Sequence, residues 1–212
     1  MIPSYARILT CPQCGKKKEV LSLVSGNTFR SVYWSDFKTI SPMLPYVSGI
    51  QKCPHCGNFY FLSKQGIEYS DHSYSFELGT LTFEDCIKAQ IQFEKTDLLP
   101  DEKKLLLYLT ITAYNDKYYR SEDGRKERNP ENVSEKDFRL FELSVVEYID
   151  KFANGIVPLK AELLREVRCY EKSIEFFESY ICNEKEPLLE ILKKKGIEYA
   201  KREESKPFIL YQ

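Results

Sequence analysis

The sequence has little of the chemistry on which most enzymes depend. It contains two histidines among 212 residues, His55 and His72, and neither has a serine or cysteine at the spacing typical of nucleophilic catalysis. Its nine glycines form no phosphate-binding loop, and the His-x-Glu motif that accompanies Cys-x-x-Cys in zinc deaminases is missing. We therefore predict a protein that is not an enzyme.

Long apolar runs are also missing. No segment approaches the roughly 20 apolar residues of a membrane-spanning helix, and residues 1–10 contain no secretory core. The seven cysteines are an odd number, and four of them lie in turns of the metal-binding type, which does not suit a secreted disulfide framework. These absences predict a cytoplasmic location.

The chain does contain two nearly identical cysteine turns. Cys11-Pro-Gln-Cys14-Gly15 and Cys53-Pro-His-Cys56-Gly57 each present two thiolates to one tetrahedral ion, at metal–sulfur distances of about 2.3 Å. The alternative is a pair of redox motifs, but a redox Cys-x-x-Cys normally occurs singly beside a βαβ pattern, which this chain lacks. We predict a closed, structural Zn²⁺ site with His55 and His72 outside it. Its ligands are Cys11, Cys14, Cys53 and Cys56.

The character of the sequence changes near residue 80. Short segments rich in strand-forming residues occupy 20–24, 29–34, 50–52 and 58–62, whereas helical periodicity begins after residue 81. The pattern predicts an α+β protein with a zinc-ribbon-like module at residues 1–80 and a helical domain at 81–212. Charge is also uneven along the chain: residues 1–64 hold eight Lys and Arg against two Asp and Glu, a balance of +6, and the remainder holds 23 against 30, a balance of −7.

Helix starts in the second part are indicated by capping residues and by prolines suited to a first turn. The expected starts are at Thr82, Pro100, Ser134, Pro158 and Pro187. The helix that begins at Ser134 is expected to end at Asn154-Gly155, and residues 121–133 are expected to form a charged loop.

Two of the later helices resemble a tetratricopeptide repeat. In that repeat a small and a large residue on helix A face an aromatic, a small residue and a second aromatic on helix B. Here Ala161 and Leu164 match the helix A pair, and Tyr170, Ser173 and Phe177 match helix B. The resemblance implies a repeat-like helical tail.

The whole layout resembles a group of uncharacterised bacterial proteins with an N-terminal ribbon, an aromatic insert and a repeat-like tail. The resemblance rests on both cysteine turns and on three further segments, Trp34–Asp36, Pro42–Tyr46 and Leu159–Phe177. It implies the fold described above and no particular activity.

The favoured function is that of a non-enzymatic adaptor with a protein partner on the helical domain, since stacked helix pairs often form a concave binding face. Candidate residues for such a face are Tyr114, Tyr118, Tyr119 and Arg120. The alternative for these residues is a role in the helical core.

A second function is nucleic-acid binding by the basic first module. The 38 residues between Cys14 and Cys53 include aromatic and cationic residues suited to stacking on bases. These are Phe29, Arg30, Tyr33, Trp34, Phe37 and Lys38. The alternative is that the aromatics form the small module's core, and we favour it because small zinc modules have few other core residues.

Overall fold

The computed structural model describes residues 1–153, 155–182 and 185–211. Within these residues short strands in small antiparallel sheets combine with six helices, so the predicted α+β class is confirmed. The strands are β1 (Ile2–Pro3), β2 (Arg7–Thr10), β3 (Lys17–Val20), β4 (Leu23–Ser25), β5 (Val32–Trp34), β6 (Thr39–Ile40), β7 (Ile50–Lys52), β8 (Phe59–Phe61), β9 (Glu68–Tyr69) and β10 (Ile209–Tyr211). The helices are α1 (Phe83–Phe93), α2 (Pro100–Tyr118), α3 (Glu135–Phe152), α4 (Val157–Glu166), α5 (Tyr170–Ser179) and α6 (Pro187–Lys201).

The chain divides into two compact units. The cysteine unit comprises Met1–Ser31 and Ser41–Leu109, and the tryptophan unit comprises Val32–Ile40 and Thr110–Gln212. This division differs from the boundary predicted near residue 80, because α1 belongs to the first unit and β5 and β6 belong to the second. Two domains at 1–80 and 81–212, as separately folding pieces, stay a prediction.

In the cysteine unit, two hairpins carry the cysteine turns. β2 pairs with β3 and β7 pairs with β8, both antiparallel, while β9 adds to the free edge of β2. A separate two-stranded sheet joins β1 and β4. The segment Ser41–Pro45, whose two prolines argue against a central strand, forms turns instead of a strand.

A glutamine side chain of helix α1 forms two hydrogen bonds with the second hairpin. Gln92 accepts a hydrogen bond from the backbone N–H of Phe59 (2.9 Å) and donates one to its carbonyl oxygen (2.8 Å). The predicted cap at Thr82 is confirmed, since its hydroxyl accepts from the N–H of Asp85 at 3.1 Å. The apolar core beneath consists of Ile50, Phe59, Phe61, Ala89 and Leu106.

In the tryptophan unit, β5 is the central strand of the sheet β10-β5-β6. Trp34 at its end is fully buried, and its indole N–H donates to the carbonyl oxygen of Gly124 at 2.9 Å. Gly124 has φ +68°, and a Cβ there would come within 3.1 Å of Ile40, so this position favours glycine. The first part of the predicted charged loop is therefore an ordered turn that packs on the sheet.

Helix α3 begins at the predicted cap. The Ser134 hydroxyl accepts from the N–H of Asp137 at 3.3 Å, and Asp137 in turn accepts from Lys117 and Tyr118 of α2. The inner face of α3 buries Phe141, Ser144, Val145, Tyr148 and Ile149. The helix ends at Phe152, close to the predicted end at Asn154-Gly155, of which Asn154 lies outside the described residues.

Helices α4, α5 and α6 pack together as a group. The Ser173 hydroxyl donates to the carbonyl oxygen of Ala161 at 2.8 Å, and both residues are fully buried. Phe177 is also fully buried, and a Cβ on Gly196 of α6 would lie 2.5 Å from its ring. Three positions predicted from the repeat pattern thus lie in one core, while the tetratricopeptide-like character of the tail stays a prediction.

None of the helices in the described part of the chain is long and apolar enough to cross a membrane.

Candidate metal centre

The two cysteine turns have the same backbone geometry. In each, the N–H of the first cysteine donates to the carbonyl oxygen of the residue just before the next strand (Cys11 to Lys16, 2.9 Å; Cys53 to Asn58, 2.8 Å). In each, the glycine N–H also donates back to the carbonyl oxygen of the first cysteine, at 2.9 and 3.0 Å. Gly15 and Gly57 have φ +68° and +75°, a left-handed conformation that explains the glycine after each Cys-x-x-Cys.

These turns bring the four predicted ligand sulfurs together. All four Sγ atoms lie within 4.8 Å of one another, and the Cys11–Cys56 and Cys14–Cys53 pairs are each 3.6 Å apart. A tetrahedral ion with metal–sulfur distances of about 2.3 Å requires sulfurs about 3.8 Å apart. The four side chains could therefore hold one metal ion with small adjustments.

The cluster has a buried side and an open side. Cys11 and Cys53 are 1% and 2% exposed and pack in an apolar cluster, whereas Cys14 and Cys56 are exposed. The other members of that cluster are Leu9, Val20 and Tyr60. Burial raises the pKa of Tyr60, and the neighbouring cysteines add to this effect. The first cysteine of each turn thus joins the metal cluster to the hairpin core.

The thiols of the two exposed cysteines differ in acidity. Hydrogen bonds from the backbone and side chain of Asn58 lower the pKa of Cys56 to about 6, and the Asn58 amide lies 3.4 Å from its sulfur. At Cys14 a backbone hydrogen bond from Lys16 lowers the pKa, but desolvation and the other three sulfurs outweigh it and raise the pKa to about 12. Four neighbouring thiolates repel one another, and a bound cation is what would allow all four to be deprotonated together.

Neither histidine belongs to this cluster. His55 and His72 are both exposed, His55 within the second turn and His72 in a bend of the chain. Within residues 1–153, 155–182 and 185–211, the four cysteines are the one group of His, Cys, Asp or Glu side chains that could hold a metal ion.

The three remaining cysteines differ in burial. Cys86 on α1 is fully buried, Cys182 is half-buried, and Cys169 is exposed. Cys169 is exposed because the chain leaves α4 before this residue, which forms the N-cap of α5 instead of lying inside a helix.

The aromatic and basic residues between the cysteine turns are divided between the two units. Phe29 and Arg30 lie in the cysteine unit, where Phe29 is 67% exposed and the Arg30 guanidinium lies 5.5 Å from its ring centre. In the tryptophan unit, Trp34 is buried, and Lys38 forms an ion pair with Asp116. Trp34 is thus a core residue, but of the tryptophan unit and not of the small cysteine module whose core these aromatics were expected to form.

The residues proposed to line a concave face on the helices are mostly buried. Tyr114 stacks on Phe141 with ring centres 4.2 Å apart, and Tyr118 is also buried. Arg120 is 1% exposed, with its guanidinium 4.6 Å from the ring centre of Trp34. They belong to the core because Thr110–Tyr118, the part of α2 that lies in the tryptophan unit, is buried on most sides, with every residue of Thr110–Asn115 buried.

The charge difference between the two ends of the sequence does not carry over to the two units. The cysteine unit holds 11 Lys and Arg against 10 Asp and Glu, a balance of +1, and the tryptophan unit holds 20 against 22, a balance of −2. Residues 65–109 supply the acidic groups: Glu68 pairs with Lys17, and Asp85 pairs with Lys52.

Sequence patterns did not indicate the buried polar cluster of the tryptophan unit. Asp36, Asn115, Arg120 and Glu166 are each at most 2% exposed and are joined by hydrogen bonds. The one available clue was the presence of polar residues within α2, a helix that is otherwise apolar at Leu105–Leu109.

Comparisons of the chain with protein-family models, with curated proteins and with solved structures each found no match.

Proposed function

We propose that the chain is a non-enzymatic zinc-binding protein in which the metal has a structural role. The observation that supports this most directly is the convergence of four cysteine sulfurs, from two hairpins of equal geometry, within 4.8 Å. Thiolate sulfur in a tetrahedral set is the ligand environment that Zn²⁺ prefers.

A structural role follows from the number of ligands. Four sulfurs fill the tetrahedral positions of Zn²⁺, whereas catalytic sites keep one position for water or substrate. Both histidines lie at the surface outside the cluster, so no histidine is in place to transfer a proton there. The bound ion would join the β2–β3 hairpin to the β7–β8 hairpin, whose cysteine turns are separated by the 38 residues between Cys14 and Cys53.

Metal content and cobalt substitution test this proposal. We expect one Zn²⁺ per chain by elemental analysis, and thiolate-to-metal charge-transfer bands with tetrahedral d–d bands when Co²⁺ replaces it. Cys53→Ser should abolish both, whereas Cys169→Ser, which alters an exposed cysteine outside the cluster, should leave them unchanged. Equal metal content in the wild type and Cys53→Ser would refute the site.

We further propose that the protein acts as a cytoplasmic adaptor, with its protein partner on the helical domain and a tetratricopeptide-like pairing of α4 with α5. Support comes from α3, where Leu143 and Val146 are 67% and 48% exposed, one turn apart on the same helix. Tyr114 and Tyr118 of α2 are buried and do not line such a face.

Charge substitution on α3 tests the adaptor role. The double variant Leu143→Asp/Val146→Asp should lose a partner that co-purifies with the wild type, while the far-ultraviolet circular dichroism stays unchanged. Glu135→Gln, an exposed change on the same helix, provides the matched control. A partner retained equally by the double variant and by the control would exclude this surface.

The second candidate is nucleic-acid binding through the cysteine unit. It is favoured by the exposed Phe29 ring with Arg30 beside it, a pair suited to stacking on a base. The near-neutral charge of the unit offers little general attraction to phosphates. If this function holds, single-stranded nucleic acid should bind at low salt, and Phe29→Ala should weaken it; no binding at low salt excludes it.

A further inference from the structure

Two segments of the tryptophan unit bring carboxyl groups into its interior, and a third brings an amide. Asp36 lies in the turn between β5 and β6, Glu162 and Glu166 lie on α4, and Asn115 lies on α2 between Asp36 and Glu166. Each of these side chains is at most 2% exposed. Buried carboxylates are stable only where cations or several hydrogen bonds compensate the loss of hydration.

A single amide group connects two of the carboxyls. Asn115 Nδ2 donates to Asp36 Oδ2 at 2.9 Å and to Glu166 Oε2 at 3.0 Å, which uses both hydrogens of the amide. The other oxygen of Glu166, Oε1, is buried and has no hydrogen-bond partner among the described residues. Glu166 therefore receives one hydrogen bond where an ionised carboxylate in a dry interior needs several.

The two buried cations are engaged elsewhere. Arg120 pairs with Asp36 and also donates to Asp116 and to the Thr112 carbonyl oxygen. Arg165 pairs with Glu162 and donates to the carbonyl oxygens of Glu204 and Lys206. Two cations and two anions balance, so an ionised Glu166 would be an uncompensated third anion.

The groups that face Glu166 come from each element packed against it. Asp36 approaches from the β5–β6 turn, Tyr119 from the turn that follows α2, and Glu162 and Arg165 from α4, with Arg168 acting on Tyr119. Burial raises the pKa of Glu166 well above its usual value, and Glu162 and Asp36 raise it further, against the opposing influence of Arg165 and Asn115.

We propose that Glu166 is a proton-dependent latch of the tryptophan unit. As a neutral carboxylic acid it holds α4 to α2 and to the Asp36 turn through Asn115. When it loses its proton, the uncompensated charge loosens this packing. The latch uses none of the metal ligands and is independent of the proposed metal function.

The direction of the pH effect follows from linkage. Below about pH 4.5 the carboxyl is protonated in both the folded and the unfolded state. Above this pH the unfolded chain releases the proton while the folded chain keeps it, so stability falls as the pH rises to the folded-state pKa and then levels. Within this window the unfolded chain binds one proton fewer than the folded chain. The unfolding equilibrium constant therefore increases by up to about tenfold for each pH unit of increase.

The test is urea unfolding of the full-length, metal-loaded chain at about pH 5, 6, 7 and 8, followed by fluorescence. Trp34 is the single tryptophan and is fully buried in this unit, so its emission reports the unfolding of the unit. We expect the wild-type midpoint to fall with pH. Glu166→Gln, which imitates the neutral acid, should show a flatter profile and a higher midpoint than the wild type at about pH 8.

The matched control is Glu175→Gln, an exposed glutamate on α5, which should keep the wild-type profile. Wild type and Glu166→Gln with parallel profiles would overturn the proposal. The infrared spectrum of the folded wild type gives a second test that needs no variant. At about pH 6, where ordinary glutamates are ionised, it should contain a protonated carboxylic acid band that disappears on unfolding, and the absence of this band would also overturn the proposal.

Discussion

The two units of this protein use charged and polar atoms in opposite ways. The cysteine unit gathers four sulfurs at its surface, where two are exposed and a single ion could neutralise them. The tryptophan unit gathers arginines, carboxyls and an amide in its interior, where each must find its partner within the protein. One arrangement is completed by a solute, the other by the chain itself.

This difference determines how each unit fails. A structural metal site loses the link between its ligands when the ion is removed, and the link forms again when the ion is restored. A buried ion pair cannot exchange its partner for water, so removing one side leaves a charge without hydration. The cysteine unit should therefore respond reversibly to chelators, and the tryptophan unit should respond to mutation and pH.

The largest effect is expected from removal of the metal. Structural zinc sites contribute about 10 kcal/mol or more of folding free energy. Chelation or Cys53→Ser should therefore remove the hydrogen-exchange protection of β2, β3, β7 and β8. We expect Trp34 to keep its buried emission, since it belongs to the other unit. Unchanged protection of the four strands after chelation would contradict the structural role, and an emission shift would show that the units do not unfold separately.

A smaller effect is expected from breaking the buried ion pair. Asp36→Asn removes the fully buried anionic partner of Arg120 and leaves it the part-exposed Asp116, and breaking a buried pair by removing one partner costs up to about 3–5 kcal/mol. Urea midpoints from Trp34 emission measure the change. Glu135→Gln, which breaks an exposed pair with Arg139, should leave the midpoint unchanged. Equal midpoints for both variants would mean that the buried Asp36–Arg120 pair contributes no more to stability than the exposed Glu135–Arg139 pair.

Acid should reveal the same pair. Burial alone would raise the pKa of Asp36, but Arg120 reverses this and lowers the pKa below its usual value. The pair's stabilisation is therefore present above about pH 3.8 and is lost as the pH falls through the folded-state pKa. Asp36→Asn should lack this acid-side loss in Trp34 emission, whereas Glu166→Gln should retain it.

A further decrease is expected at Gly196. A Cβ there would lie 2.5 Å from the ring of the buried Phe177, and overpacking of this kind costs about 1–3 kcal/mol. Thermal unfolding of Gly196→Ala should show a lower transition temperature. Gly155→Ala is the control, since nothing lies within 4 Å of a Cβ at that position. Equal transition temperatures would show that the α5–α6 contact can relax.

The smallest of these effects is expected at Ser173. Its hydroxyl donates to the Ala161 carbonyl oxygen within the α4–α5 contact, and Ser173→Ala should cost about 1 kcal/mol. Chemical denaturation measures the difference. A more stable Ser173→Ala variant would instead show that the alanine typical of the repeat pattern suits this position better.

The sequence predicted the metal cluster because its determinants are local. Two cysteines and a glycine within five residues define each turn, and a left-handed glycine is needed wherever such a turn is made. The same locality explains the helix starts at Thr82 and Ser134, where one side chain caps the next turn. Only the pairing of the two turns required a long-range contact.

The buried polar cluster could not be predicted in the same way. Asn115 meets Asp36 across 79 positions and Glu166 across 51, and no spacing rule joins residues so far apart. Trp34 and Arg120 are of residue types that often bind ligands, so the sequence suggested a binding role for them. Their burial is decided by packing and cannot be deduced from residue type. The charge difference between the ends of the sequence wrongly indicated a basic first module for the same reason, since residues 65–109 bring acidic groups into the cysteine unit.

The position of β10 beside β5 has a consequence for synthesis on the ribosome. The Phe208 N–H donates to the Ser35 hydroxyl across 173 positions, and β10 pairs directly with β5. When β5 leaves the exit tunnel, its neighbour β10 has not yet been translated. The nascent β5 must therefore wait with an open edge for most of the chain's translation, which is the period when a chaperone would have the most to protect.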